Sequence, residues 1–321
     1  MAKKSISLPK GFLKSMNNDV LARAKIFIAA PREMSVTRFK QIVKHYLPKG
    51  DIVLGISKEQ FVVGFENQPQ FAMLKQETIQ SVVDLVEASS SPHKISLLPY
   101  SQNDLSQIVE QLTSNQRVLL VNGSWKYAFH NLPAYKILID KNIPIKFISP
   151  FVDEDEAKQY EQDHTVSIER PKVASRLSQE EMFAIADEEA KRSYDYSYQI
   201  GVALGRENAG SYELVTTAFN RVIPYQTYAL HHGNSREKHL SPPHDTNHYD
   251  TIHAEMDLVV RAVEQAIDIS GTTLFINVLP CPNCARTLSQ TSISEIVYKR
   301  DHSDGYAKEF LEACGKKVIQ V

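Results

Sequence analysis

The chain has 321 residues, 42% of them hydrophobic and 23% charged, which is enough apolar material for a sizeable core and points to two domains. Lys and Arg number 36 against 38 Asp and Glu, so the net charge of −2 excludes a basic coat over the whole chain, and no nucleic-acid partner is expected. Three cysteines are too few for a disulfide framework, no apolar core of signal length follows Met1-Ala-Lys-Lys-Ser5, and no apolar run reaches the ~18 residues that span a bilayer. The expectation is a reduced, cytoplasmic protein without a membrane partner.

The first half alternates short β-branched runs with stretches of helical period. Strands are expected over 25–30, 51–56, 94–98, 117–121 and 143–148, and helices over 35–47, 71–86, 103–112 and 127–140. Strand–helix repetition of this kind gives a parallel sheet with helices on both faces, and continuous apolar strands fit a sheet buried on both sides. This is a Rossmann-like α/β domain, placed at 20–155. Residues 151–178 turn acidic and aperiodic and read as a linker. Ser178-Gln-Glu-Glu181 is a capping box and opens a helix expected to run to about Tyr198. A hairpin follows, 199–204 and 213–219, around Asn208-Ala-Gly210. Residues 224–249, rich in His, Pro and Asn, read as a long loop, and six of the eleven histidines crowd between His231 and His253. Then come a helix (254–267), a strand (272–278), a helix (284–291), a strand (295–298), a helix (306–314) and a last strand (317–321). They complete a second α/β domain at 175–321.

The residues that carry chemistry are His253-Ala-Glu255 and Pro280-Cys-Pro-Asn-Cys284. Cys281 and Cys284, three apart at a helix start, put both sulfurs on one side, and a helix N-terminus favours thiolates. One imidazole and two thiolates suit zinc and leave a fourth tetrahedral position for water. His253 and Glu255 are two apart, so both face one pocket only if His253 sits at the very start of its helix, with Asp250 and Thr251 as candidate caps. Glu255 is then a proton shuttle beside the metal. The competing reading is a structural zinc site, or a Cys-x-x-Cys pair without metal.

This combination matches the His-x-Glu…Pro-Cys-x-x-Cys signature of zinc-dependent nucleobase deaminases. Residues 176–321 resemble the cytidine and deoxycytidylate deaminase family in order of elements. The resemblance implies that His253, Cys281 and Cys284 bind Zn2+, that zinc-bound hydroxide attacks C4 of cytosine, and that Glu255 moves the protons. It is nearest to the deoxycytidylate deaminases, because the first ligand is His and the metal turn reads Pro-Cys-Pro-x-Cys-Ala. The implied activity is hydrolytic deamination of a cytosine nucleotide, dCMP to dUMP, in a homo-oligomer. The alternatives are deamination of another base, as a free nucleoside or as adenosine in RNA, and a catalytically idle nucleotide-sensing or partner-binding protein. Ala218-Phe-Asn220 resembles the family's Gly-Tyr-Asn-Gly segment, whose Asn contacts the sugar, with Arg221 in place of the final Gly. Asp257 stands where the family often has Asn. Arg236, Lys238, Lys299 and Arg300 are candidates for a substrate phosphate. The loop histidines 231, 232, 239, 244 and 248 are candidates for a second metal. Cys314 reads as packing.

In the first half, Gly50-x4-Gly55 has Ile56 at the lysine position of a P-loop and lies in a strand, which excludes a kinase domain. Residues 25–151 are similar to nucleotidyltransferase-like Rossmann domains. Those need a His-x-Gly-His turn after the first strand, and here the turn reads Pro31-Arg-Glu-Met34, so the resemblance carries fold and not transferase activity. Cations at strand ends, Arg32, Lys58 and Lys126, are candidates for an anion pocket covered by Trp125, the alternative being solvated loop charges with Trp125 packed in the core.

Overall fold

Five apolar runs of the first half form one parallel sheet: β1 (Ile26–Ala29), β2 (Ile52–Ser57), β3 (Ile95–Tyr100), β4 (Arg117–Val121) and β5 (Ile145–Ile148), in the order β3-β2-β1-β4-β5. This is seen in a computed structural model, which describes residues 20–164, 176–243, 245 and 247–321. The strands are buried on both sides, as their unbroken apolar runs require. Ile26, Ile28, Ile52, Leu54, Leu119 and Val121 face the helices Val36–Tyr46 and Gln76–Glu87 through Phe39, Ile42, Ile79 and Val82. Phe27, Val53, Val118 and Leu120 point the other way and are no less buried. Two expected helices start later than their periodicity suggests. Residues 69–71 and 129–131 form single 3₁₀ turns, and the α-helices run Gln76–Glu87 and Pro133–Asp140, the second with proline at its first position.

The second sheet has six strands in the order β13-β12-β11-β7-β8-β6. They are β6 (Arg176–Leu177), β7 (Gly201–Asn208), β8 (Ser211–Phe219), β11 (Thr273–Val278), β12 (Glu295–Arg300) and β13 (Lys317–Gln320). β9 (Arg221–Val222) and β10 (Thr251–Ile252) form a separate antiparallel pair. The β7–β8 hairpin closes on Ala209 (φ 50°) and Gly210 (φ 80°), the left-handed pair that a two-residue turn needs. Alternation sorts the two faces. Val202, Leu204, Leu274, Ile276, Ile296 and Tyr298 meet the helices Ala254–Glu264, Pro282–Ser289 and Tyr306–Ala313 through Leu258, Leu288 and Leu311. Ala203, Phe275 and Val297 meet Met182, Phe183 and Ala186 of the helix Gln179–Ala190.

That helix opens on the expected capping box, but it ends at Ala190 and not near Tyr198. Beyond it, Ser193 Oγ accepts from Asp195 N at 3.1 Å, and Asp195 Oδ1 accepts from Ser197 N at 2.7 Å and Tyr198 N at 3.2 Å. Side chains that bond their own backbone offer it an alternative to helix, and here the alternative wins.

The expected pair of contiguous domains, 20–155 and 175–321, becomes an interleaved pair of units. One unit takes residues 1–160 together with 229–248, and the other takes 161–228 and 249–321. The described part of the expected linker carries a helix, Glu154–Asp163. The expected long loop carries two short helices, Tyr228–His232 and Ser235–Lys238, and most of it packs into the first unit. Asn122 Nδ2 donates to Leu230 O at 3.0 Å, Ser149 Oγ meets His231 Nδ1 at 2.9 Å, and Phe129 N donates to Glu237 Oε1 at 2.9 Å. Asn122 and Ser149 follow β4 and β5, so residues 229–248 cover the carboxyl ends of these strands. That edge, beside the point where strand order reverses between β1 and β4, is where open α/β sheets bind ligands.

Two of the three cations expected to line that edge, Arg32 and Lys126, are engaged by the chain itself. Arg32 is buried, with its guanidinium on the carbonyls of Gln70, Ala72 (3.3 Å) and Gly123 (2.6 Å). Lys126 lies over the rings of Phe65 and Tyr127, Lys58 is exposed, and Trp125 packs against Phe129 with ring centroids 4.9 Å apart. The anion pocket therefore gives way to the alternative at these two residues: Arg32 ties two loops together and Trp125 is core.

Candidate active site

Two helix starts build the site. β10 runs out of its ladder with β9 into His253, which holds extended backbone (φ −69°, ψ 148°) as the N-cap of the helix Ala254–Glu264. An N-cap is not yet helical, so His253 and Glu255 escape the divergence that a regular helix imposes at this spacing. The cap is His253 itself, and not Asp250 or Thr251. β11 leads through Leu279 and Pro280 to Cys281, the N-cap of the helix Pro282–Ser289, with Pro282 at its first position. Cys284 then falls in the first turn.

The three donors converge. His253 Nδ1 lies 3.6 Å from Cys281 Sγ and 3.3 Å from Cys284 Sγ, and the ligand atoms of all three residues lie within 4.8 Å of one another. Zinc–sulfur bonds of about 2.3 Å and zinc–nitrogen bonds of about 2.0 Å at a tetrahedral angle subtend an edge of roughly 3.5 Å, so the donor set fits zinc. Among the described residues it is the one His/Cys/Asp/Glu group so gathered. The loop histidines make other contacts. His231 is on Ser149, His248 on Ser241 and Asp245, and His239 stacks on His248, while His244 lies outside the described residues.

The three donors are also coupled electrostatically. The hydrogen bond from Cys284 and the contact with His253 hold the Cys281 thiol down to about 3. The same bond, burial and nearby Glu255 push Cys284 up. The Cys281 thiolate draws the His253 imidazole toward its protonated form. Glu255 is 3% exposed, and burial raises its carboxyl above the usual range. A buried acid beside Cys284 is a group able to hold and pass a proton in a water-poor site.

The other expected site residues scatter. Asn220 is buried, its Nδ2 donating to Tyr198 O (2.8 Å) and Asp195 Oδ2 (3.3 Å) while Oδ1 accepts from Ile200 N (2.8 Å). Its amide thus organises the turn before β7. Arg236, on Asp245 O, and Lys238 belong to the first unit. Lys299 is ion-paired with Asp187 at 2.5 Å and lies over Phe183, on the sheet face opposite the two site helices. Arg300, the next residue, alternates to the site-helix face, and its carbonyl accepts from Leu279 N. Cys314 is exposed.

Two features had no signal in spacing or periodicity. Asp195 Oδ2 also accepts from Thr251 Oγ1 at 3.3 Å, so one carboxylate joins the 193–200 turn, Asn220 and the strand that leads to His253. Asp257 is fully buried between Arg221 Nε (2.8 Å) and Arg261 Nε (2.7 Å).

Residues 177–300 match the family model described as the cytidine and deoxycytidylate deaminase zinc-binding region, a stretch that includes His253, Glu255, Cys281 and Cys284. The chain is 31% identical over 62 residues to the deoxycytidylate deaminase of enterobacteria phage T2, an alignment covering 19% of this chain and 33% of that protein. It is 25% identical over 130 residues to a probable deoxycytidylate deaminase of Drosophila melanogaster, covering 40% of this chain and 61% of that one. The chain thus spans less than two thirds of these relatives. A dCMP deaminase of the cyanophage S-TIM5, solved with dCMP and dUMP, superposes on 48% of this chain and 100% of its own at 15% identity, with a TM-score of 0.33.

Proposed function

We propose that the second unit hydrolytically deaminates a cytosine nucleotide, dCMP, to dUMP and ammonia. The observation that carries this reading is the His253–Cys281–Cys284 group beside the buried carboxyl of Glu255. His253 Nδ1 and the two sulfurs would hold zinc; bound there, it supplies the Lewis acidity that makes water a nucleophile near neutral pH. Two thiolates balance the dication, so the filled site is formally neutral. Glu255 would take the proton released by the water and deliver it to ring N3 as C4 becomes tetrahedral, then take the proton of the C4 hydroxyl as the carbonyl forms and deliver it to the departing amine. Its burial keeps that proton from bulk water between transfers. The phage T2 and Drosophila relatives, a deoxycytidylate deaminase and a probable one, support cytosine and a single phosphate.

The test is ammonia release from a panel of cytosine, adenine and guanine nucleosides and their mono- and triphosphates. Turnover confined to dCMP supports the reading. Turnover on adenosine alone, or none with zinc bound, overturns it.

A further inference from the structure

Two positions that depart from the family pattern, Arg221 in place of Gly and Asp257 in place of Asn, are bonded to each other. Arg221 Nε donates to Asp257 Oδ1 at 2.8 Å, and Arg261 Nε lies 2.7 Å from Oδ2. The Asp257 side chain is 0% exposed, whereas those of Arg221 and Arg261 are 34% and 29% exposed. Two guanidinium groups on one carboxylate leave a surplus positive charge at the protein–water boundary. Among the described residues, Glu161, whose Oε2 accepts from Gln226 N, is a second carboxylate near Arg221 and offsets part of that surplus.

The bond to Asp257 uses Nε alone. Among the described residues, nothing accepts a hydrogen bond from Nη1 or Nη2 of Arg221. An arginine fixed at Nε keeps its planar fork of N–H donors oriented outward, the geometry that matches two oxygens of a phosphate. Fixing it in advance removes side-chain entropy that a mobile surface arginine would lose on binding. Arg221 directly follows Asn220 and stands opposite Ile252 in the β9–β10 ladder, one residue from His253. Asp257 N donates to His253 O, so the anchor is one helical turn beyond the same ligand.

Resting on the deaminase reading, we propose that Arg221, anchored on Asp257, binds the 5′-phosphate of the substrate and makes this site selective for a nucleoside monophosphate over the nucleoside.

Binding of the product dUMP and of deoxyuridine to the zinc-loaded full chain, measured by calorimetry, tests this without requiring turnover. Arg221→Gln is expected to lower the affinity ratio of dUMP over deoxyuridine roughly 10- to 100-fold, the range of a lost charge-assisted pair. Arg206→Gln, which removes a surface cation paired with Asp268, is expected to leave the ratio unchanged. Should Arg221→Gln fail to fold, Arg221→Lys keeps a positive charge for Asp257 while removing the planar fork, and it is expected to lower the ratio likewise. An unchanged ratio in either folded variant overturns the proposal. Wild-type binding of dUMP without any deamination of dCMP would sink the proposed reaction and leave the phosphate site standing.

Discussion

Cys281 and Glu255 sit within one site, and the proposed function gives them separable tasks. Cys281 is a donor that a hydroxyl replaces poorly, so Cys281→Ser is expected to strip zinc from the purified chain, as elemental analysis would read. Unchanged zinc in that variant would remove Cys281 from the ligand set. Glu255→Gln preserves shape and is expected to retain zinc while turnover of dCMP falls by about 10²–10⁴-fold, the usual contribution of a general acid–base group. Near-full turnover would show that the protons travel elsewhere. His253, Glu255, Cys281 and Cys284 were legible in the sequence because each lies at a helix start, where spacing in the chain sets spacing in space. Arg32 was not. As a lone cation after a strand it read as ligand-facing, and the carbonyls that engage it come from Gln70, Ala72 and Gly123, far away in the chain. Arg221 and Asp257, 36 residues apart, were noted singly as departures from a pattern, and nothing in the sequence joins them.

At the scale of elements, the sheet of the second unit depends on close approach of the helix Gln179–Ala190 to the start of β7. Gly201 permits it: a Cβ there would lie 1.9 Å from the carbonyl oxygen of Ala186 and 2.6 Å from Ala190 N. Both obstacles are backbone, which cannot rotate aside. Gly201→Ala is therefore expected to destabilise the unit by about 1–3 kcal/mol or more, as overpacking does, seen as a lower Tm. A Tm equal to wild type would mean that the helix can shift without cost. The capping box and the hairpin turn were readable because each is a local signature that tertiary contacts left alone. The far end of the same helix was not, because tyrosines continue past Ala190 while Ser193 and Asp195 redirect the backbone. Helix starts announce themselves through side chains that bond the backbone. This helix stops for the same reason, in a segment where periodicity suggested continuation.

At the scale of the whole molecule, the order of the chain and the order of the units differ. Residues 229–248 interrupt the second unit in sequence and complete the first in space. Leu230 shows what they supply. It is 5% exposed, and its Cδ2 stands 2.1 Å from where a Cβ on Gly123 would be, at φ +72°, so the turn after β4 is shaped around it. A chain ending at residue 160 would keep every strand of the parallel sheet and still lack this cover. The apolar surface under Leu230 and the amide of Phe129, bonded to Glu237, would face water. Loss of a buried leucine contact alone costs about 2–5 kcal/mol, a large part of a domain's net stability. The expected outcome is that a 1–160 fragment unfolds at a lower temperature than the same unit does in the full chain. Hydrogen exchange at the Phe129 amide should be faster in the fragment, and adding a peptide of residues 225–250 in trans should slow it again. Equal protection of that amide with and without the peptide would show that the first unit stands without the segment. Restored protection would show that the stretch just before His253 is held by a different unit from the one that carries the candidate zinc ligands.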